Sequence, residues 1–350
     1  MLSLPQFPDS HLLTHSQMQT RKTCGRKHLF AYLLGWRPEG TSKPLRIGSI
    51  IHEALDQWAS GAMPADVGQW LAVQDYEDEY ELAVVANLVK GYFDRWADSD
   101  IKTVASERQF EMRIRNPDGE KPSRVHSAAG KIDRIVRLPD LRMAILETKT
   151  VSEDIGEESD YWLRLRLDQQ ISLYMLAARD MGFDVETVIY DVIRKPTIRP
   201  KQVPQLDSQG RKIVQYGDGQ RVLNKNGTPK QSATKADGEE LLVRLETPGE
   251  FSDRLADDIA RRPEFYYARR EVTRLEADLE EFRHELWWQH QDIKIAKREG
   301  YHPRNTGACD WKGRCPYLPI CRDAVIPDEI PAGYVKVDRV HQELELKDEN

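Results

Sequence analysis

The chain has 350 residues, 39% hydrophobic and 31% charged, with a formal net charge of −7. That length suits one large domain with insertions or two domains, and no apolar run approaches the ~20 residues of a membrane span. An acidic total does not suggest a nucleic-acid partner, which would need local basic surfaces. Two stretches supply them: Arg21 to Arg46 carries seven Lys or Arg against one Glu, and Arg194 to Lys235 carries ten against two Asp. The opening MLSLPQFPDSHLLTHS lacks the charged start and long apolar core of a signal peptide, so a cytoplasmic protein is expected. Four cysteines in that setting point to metal binding or buried thiols rather than a disulfide framework.

In chain order, the spacing of Leu29, Phe30, Leu33 and Leu34 predicts a helix over 16–35, capped by Ser16 and ended by Gly35. Cys24 falls inside it. Residues 46–60 read as a second helix with the stripe Ile47, Ile51, Ala54, Leu55 and Trp58, on which Gly48 and His52 share a face. Residues 65–97 read as helical, with acid on one side. From 107, ERQFEMRIRNPDGEKPSRVHSAAGKID reads as two strands joined by a Pro-Asp-Gly turn.

The second of these strands continues into a hairpin over 129–149, with its turn at Pro139-Asp140-Leu141. Alternation puts Ile145, Glu147 and Lys149 on one face and Ala144, Leu146 and Thr148 on the other. A hairpin centred on Asp140 pairs positions summing to 280, so Asp133 is expected opposite Glu147, subject to a slip of register. Residues 161–182 read as a strong helix stopped by Gly182, with Gln170 and Tyr174 one turn apart. VETVIYDVIRK (185–195) reads as a strand, and strand, helix, strand suggests a crossover beside the hairpin. Residues 196–240 read as a protruding basic β-hairpin or arm, a candidate phosphate contact or a solvated insertion. A short helix (250–262), a strand (265–274) and a long amphipathic helix (274–300) follow. The last informative stretch holds Cys309, Cys315 and Cys321, each separated by five residues, among glycines and prolines.

Phosphodiester hydrolysis needs a hard divalent cation, an activated water and charge stabilisation at the phosphate. Asp133 and Glu147 are suitable Mg²⁺ ligands. Lys149 can orient the water, hold the phosphate or assist proton transfer. His52 can complete a metal shell, and Trp and Tyr side chains near basic regions can stack on bases.

Asp133 followed by Glu147-Thr148-Lys149 resembles the D…ExK core of the PD-(D/E)XK nuclease superfamily. The Asp sits in GKID, Gln170 to Tyr174 matches QxxxY, and GSIIH (48–52) matches an upstream histidine motif, all as in its RecB-like branch. One cysteine before the core and three after it resemble the iron–sulfur subset, which includes the AddB nuclease domain and the CRISPR-associated RecB-like exonucleases. The resemblance covers about residues 16–325. It implies an α/β fold with a restriction-endonuclease-like core, a mixed central sheet flanked by helices, with the basic β-hairpin insertion and the C-terminal cysteine-rich segment added to it.

The resemblance also implies Mg²⁺ or Mn²⁺ held by His52, Asp133, Glu147 and the Thr148 carbonyl, with Lys149 as catalytic lysine. Gln170 and Tyr174 would support the site or bind DNA. A [4Fe–4S] cluster on Cys24, Cys309, Cys315 and Cys321 would tie the chain ends together. Zn²⁺ stays open there, because the family often spaces its first two C-terminal cysteines by two residues rather than five. The expected layout is a single nuclease domain over 1–325 and a tail over 326–350. Within the domain lie a helical part (16–97), a catalytic core (105–195), the insertion (196–240) and a helical, cysteine-bearing segment (250–325). The expected activity is DNA exonuclease action on single-stranded or free-ended DNA in recombination, repair or replication, with Arg194, Lys195, Arg199 and Lys201 as DNA contacts and a helicase or recombination protein as a compatible partner. A non-catalytic iron–sulfur DNA-binding module and a structure-specific or RNA-processing endonuclease are the competing classes.

Overall fold

The computed structural model describes residues 4–40, 43–119, 121–310, 313–323, 325–326 and 328–344, without the side chains of 43–45. The end of the acidic C-terminal run, 345–350, lies outside the described residues. Strand β1 (Leu12–Thr14) leads into helix α1 (His15–Thr23). Its cap is Thr14, whose hydroxyl accepts from Gln17 N at 3.3 Å, two residues before the expected Ser16. The helix expected over 16–35 is broken at Cys24, whose backbone is extended (φ −163°, ψ 120°). It resumes as α2 (Gly25–His28) and a π-turn over Leu29–Leu33. A long-range contact causes the break. Arg26 N donates to Pro303 O at 3.0 Å, and a Cβ on Gly25 would meet the Pro303 ring at 2.9 Å.

Strand β2 (Trp36–Pro38) and helix α3 (Lys43–Ala59) follow. Two helices, α4 (Pro64–Ala72) and α5 (Glu79–Trp96), replace the single helix expected over 65–97. Asp78 starts the second by accepting from Glu81 N at 2.8 Å. The strands β3 (Lys102–Arg115), β4 (Pro122–Arg137) and β5 (Met143–Val151) form a meander. The helix expected over 161–182 is also two, α6 (Asp160–Leu165) and α7 (Gln169–Asp180), since Asp168 caps α7 through Gln170 N at 2.8 Å.

Then come β6 (Val185–Arg194) and four three-residue strands, β7 (Gln202–Pro204), β8 (Val214–Tyr216), β9 (Glu239–Leu241) and β10 (Val243–Leu245). Helices α8 (Pro248–Arg261) and α9 (Pro263–Tyr266), strand β11 (Tyr267–Thr273) and helix α10 (Glu276–Glu299) follow. Gly300, at φ 64°, ends α10 in the left-handed conformation that glycine adopts without strain. A short α11 (Leu318–Cys321) and β12 (Tyr334–Lys336) complete the chain. No helix among the described residues is long and apolar enough to cross a membrane.

The chain divides into two compact units. The first (1–52, 98–192 and 268–350) holds a six-stranded sheet in the order β1-β4-β5-β6-β11, with β3 on β4. Strand β1 runs parallel to β4, while β3 and β5 run antiparallel to it, so the sheet is mixed, as expected. The β4–β5 pairs run from Arg134↔Leu146 to Arg137↔Met143, all summing to 280. One core cluster buries Ile135 and Ile145 with Ile171, Met175 and Ala178 of α7 and Leu279, Phe282 and Leu286 of α10. Another buries Val136, Ala144, Leu146 and Ile189. Each fully buried aliphatic side chain is worth about 1.5–3 kcal/mol.

Residues 334–344, expected as part of a tail, are built into this unit. Strand β12 pairs with β2, Val340 is buried, and His341 N donates to Asp9 Oδ2 at 2.8 Å.

The second unit (53–97 and 193–267) packs α5 against α8 and carries the basic insertion. The insertion is a nest of short hairpins, with β7–β10 outside and β8–β9 inside. Its tight turns fall at Gly210, Gly219 and Gly227, all with positive φ. Part of its charge is matched locally, as Arg211 and Arg221 meet Asp207 and Lys230 meets Glu239. Just beyond it Arg244 meets Glu250 and Arg254 meets Glu246.

Candidate active site

Continued one step past Arg134↔Leu146, the β4–β5 register would set Asp133 opposite Glu147, in line with Ile135 and Ile145. Two residues further along β5, Lys149 falls in the same line. The Lys149 ammonium lies 2.7 Å from Glu147 Oε1 and 2.9 Å from Gln170 Oε1, and Gln170 Nε2 returns a bond to Glu147 Oε1 at 3.0 Å. The cap at Asp168 fixes the start of α7, and Gln170 is its second residue, so the cap sets where this amide points. Tyr174, one turn on, bonds Gln170 and packs edge-on to Phe110 with centroids 5.7 Å apart. Gly130 is required beneath them, because a Cβ there would lie 2.7 Å from Phe110 and 3.2 Å from Tyr174.

Asp133 Oδ2 accepts from Thr148 N at 3.0 Å and lies 3.8 Å from His52 Nδ1. His52 reaches this point from α3. The expected residues His52, Asp133, Glu147, Thr148, Lys149, Gln170 and Tyr174 therefore converge on one place.

Electrostatics sort their roles. Burial, and then the Asp133 charge, raise the Glu147 carboxyl above the usual carboxylate range, against the pull of Lys149. Burial pulls Lys149 down, but Glu147 and Asp133 outweigh it and hold the ammonium charged. Burial lowers His52, with Asp133 opposing, which favours the neutral imidazole that ligates metals. Burial also raises Tyr174 and keeps its hydroxyl protonated.

The donor set suits a divalent cation in kind. It holds two carboxylates and a neutral imidazole, and the buried Glu147 Oε2 has no hydrogen-bond partner among the described residues. As the side chains stand, no three His, Cys, Asp or Glu among the described residues gather tightly enough to grip an ion unaided. An ion there would be held by His52, Asp133 and Glu147 with waters completing its shell, as Mg²⁺ commonly requires.

Behind the site lies a layer that sequence reasoning missed. Arg134 donates to Thr148 Oγ1 at 3.1 Å and lies 3.6 Å from Asp191, which Arg269 also meets at 3.0 Å. An aspartate inside the apolar run VIYDVIRK was the available signal, since a charge in a buried strand needs a partner. Glu107 was missed as well. It falls between the pairs Ser106↔Arg134 and Arg108↔Ile132, level with Asp133, at φ 49°, and pairs with Lys131. Nothing in its local sequence marks it.

The expected DNA contacts are partly engaged within the fold. The Arg194 guanidinium lies 4.0 Å above the Phe265 ring. Arg199 O accepts from Arg254, and Lys201 N donates to Glu246. Burial lowers the Lys195 pKa.

All four cysteines are unbridged and line one cavity of about 230 Å³ with Lys27, Arg304 and Arg322. Burial and the three other thiols raise Cys309. Cys315 N donates to Cys309 O at 2.7 Å, and Asn305 N to Cys24 Sγ at 3.4 Å. The four thiols share the lining of this cavity, and no three His, Cys, Asp or Glu among the described residues are gathered for an ion.

The sequence pattern of the PD-(D/E)XK nuclease superfamily matches residues 12–322, from β1 to just past Cys321. No curated protein matches the chain. Among solved structures, one described as a "Putative exonuclease" from Eubacterium rectale is 9% identical with a TM-score of 0.40, covering 91% of this chain and 95% of its own. Another, described as SSO0001, is 12% identical with a TM-score of 0.21, covering 70% of this chain and 85% of its own.

Proposed function

The chain belongs to the PD-(D/E)XK nuclease superfamily, and from that premise we propose that it is a divalent-metal-dependent DNA nuclease, acting as an exonuclease on single-stranded or free-ended DNA. One observation carries this reading. Lys149, Glu147 and Gln170 form a closed hydrogen-bonded set beside Asp133, with one Glu147 oxygen left without a donor among the described residues. A decayed, purely binding module has no use for that costly arrangement of buried charge.

When bound, Mg²⁺ or Mn²⁺ supplies Lewis acidity toward the phosphodiester and an acidified water. The protein's own groups do the rest. Lys149, held protonated, is an electrostatic partner for the non-bridging phosphate oxygens and a donor that orients the attacking water. Its raised pKa argues against service as a general base. Gln170 fixes the ammonium, and Tyr174 fixes Gln170. Water oxygen attacks phosphorus and gives up its proton to solvent, the bond to one ester oxygen breaks, and that oxygen leaves with a proton from solvent. The test is digestion of end-labelled linear and closed circular single-stranded DNA with Mn²⁺. Loss of the linear strand with the circle intact is expected, and equal cutting of both would reject exonuclease action.

The cysteine cavity is read as the seat of a [4Fe–4S] cluster, with Lys27, Arg304 and Arg322 balancing its charge. Cys24 ends α1, and α1 borders the active site through Lys22–Gln169 and through His15 Nε2, 3.7 Å from Asp168 Oδ1. A cluster there would stiffen one wall of the catalytic centre. Protein purified without oxygen should be brown and carry stoichiometric iron and sulfide. A colourless protein with one zinc per chain would sink this assignment.

A further inference from the structure

A large aromatic side chain stands exposed on α10, the helix whose Glu285 and Gln289 contact Gln169 beside the catalytic Gln170. Trp288 of α10 is 70% exposed. Its place is fixed by its neighbours on the same flank of the helix. Glu285 accepts from Gln169 Nε2, Gln289 Nε2 donates to Gln169 Oε1 at 3.1 Å, and Asp292 accepts from Arg21 Nε and Nη2 at 2.6 and 3.0 Å. Spacings of three and four residues set Trp288 on the shoulder between Glu285 and Asp292.

Gln169 is also the acceptor for Lys22 of α1, and it directly precedes Gln170, the residue that holds Lys149 and Glu147. Two residues before Gln169, Leu167 is 84% exposed. An indole, an ammonium and a leucyl side chain thus flank the start of the helix that fixes the catalytic lysine. None is needed for the core, since α10 buries Leu279, Phe282, Leu286 and Ile293 instead.

We propose that Trp288 is a stacking platform for an unpaired base of the substrate strand, with Lys22 placed for the adjoining phosphate. This deepens the nuclease reading above and rests on it. An aromatic face binds any base, so the platform selects no sequence. It does select strandedness. In a duplex both faces of each base are already stacked, whereas a single strand presents them free. The substrate class that follows is single-stranded DNA held by base and backbone together.

The test measures fluorescence anisotropy with Ca²⁺ replacing Mn²⁺, comparing a labelled oligothymidylate with an abasic strand of equal length. Wild type, Trp288→Ala and Trp288→Phe are compared. Trp288→Ala should weaken binding of the oligothymidylate about tenfold or more, the scale of one base–aromatic stack. Trp288→Phe should keep most of the affinity, and all three should bind the abasic strand alike. Equal weakening on both strands, no weakening on either, or no DNA binding by the wild type would overturn the platform. The nuclease reading fails separately, if wild type cuts no DNA with Mn²⁺ while the anisotropy pattern holds.

Discussion

Replacing Lys149 by Ala should lower the single-turnover rate of DNA cleavage by about 10²–10⁴, the range for a positioned donor acting on transition-state charge. Two losses combine. The ammonium that would face the phosphate is gone, and so is the counter-charge 2.7 Å from Glu147 Oε1. Glu147 is already raised by burial and by Asp133. Without Lys149 its carboxyl ionises less readily still, so the Mn²⁺ concentration needed for any residual activity should rise. Lys149→Arg should not restore the rate, because a planar fork does not reproduce a point charge held between a carboxylate and an amide. Thermal melting should show both variants folded. A Lys149→Ala protein cleaving within a few-fold of wild type would remove Lys149 from the mechanism.

The largest expected effect on stability lies behind the site. Asp191→Ala should cost about 3–5 kcal/mol, the scale for breaking a buried ion pair by removing one partner. Asp191 is fully buried, and the Arg134 and Arg269 side chains that meet it are 8% and 11% exposed. Removing the carboxylate leaves two buried guanidinium groups with like charge. The damage should reach activity too, because Arg134 also holds the Thr148 hydroxyl, one residue from both Glu147 and Lys149. Urea unfolding read by tryptophan fluorescence checks the prediction. A loss under about 1 kcal/mol, the size of a surface pair, would mean that the three charges are not coupled.

The hairpin that carries the site was legible in the sequence because alternation and a three-residue turn leave little freedom. The apolar set of β5 must face the core, which excludes one-residue slips, and the turn at Pro139-Asp140-Leu141 then selects the register summing to 280. The helices were legible as apolar stripes but not in their breaks. Asp78 and Asp168 interrupt stripes that continue past them, and capping is a local competition that periodicity ignores.

Cys24 breaks α1 for a different reason. Its neighbour Gly25 packs on Pro303, nearly 280 residues away, and no local signal encodes that contact. The same holds for Asp9 with His341 and for Arg134 with Asp191 and Arg269. Of the basic residues from Arg194 to Lys235, Lys230 finds its partner, Glu239, just beyond that window. The convergence of His52 on Asp133 came from family resemblance, not from spacing, and the 3.8 Å approach is a tertiary fact.

The most direct measurement is the cleavage rate of a labelled single-stranded oligonucleotide against Mn²⁺ concentration, for wild type and Glu147→Gln. The variant keeps the shape and the amide contacts of the site but not its ligand charge. Cleavage that rises and saturates with Mn²⁺ in wild type, and is absent from a cooperatively melting Glu147→Gln protein, is the predicted result. Cleavage retained by Glu147→Gln, or a wild type inert with both Mn²⁺ and Mg²⁺, would contradict the placement of a nuclease centre at Asp133, Glu147 and Lys149.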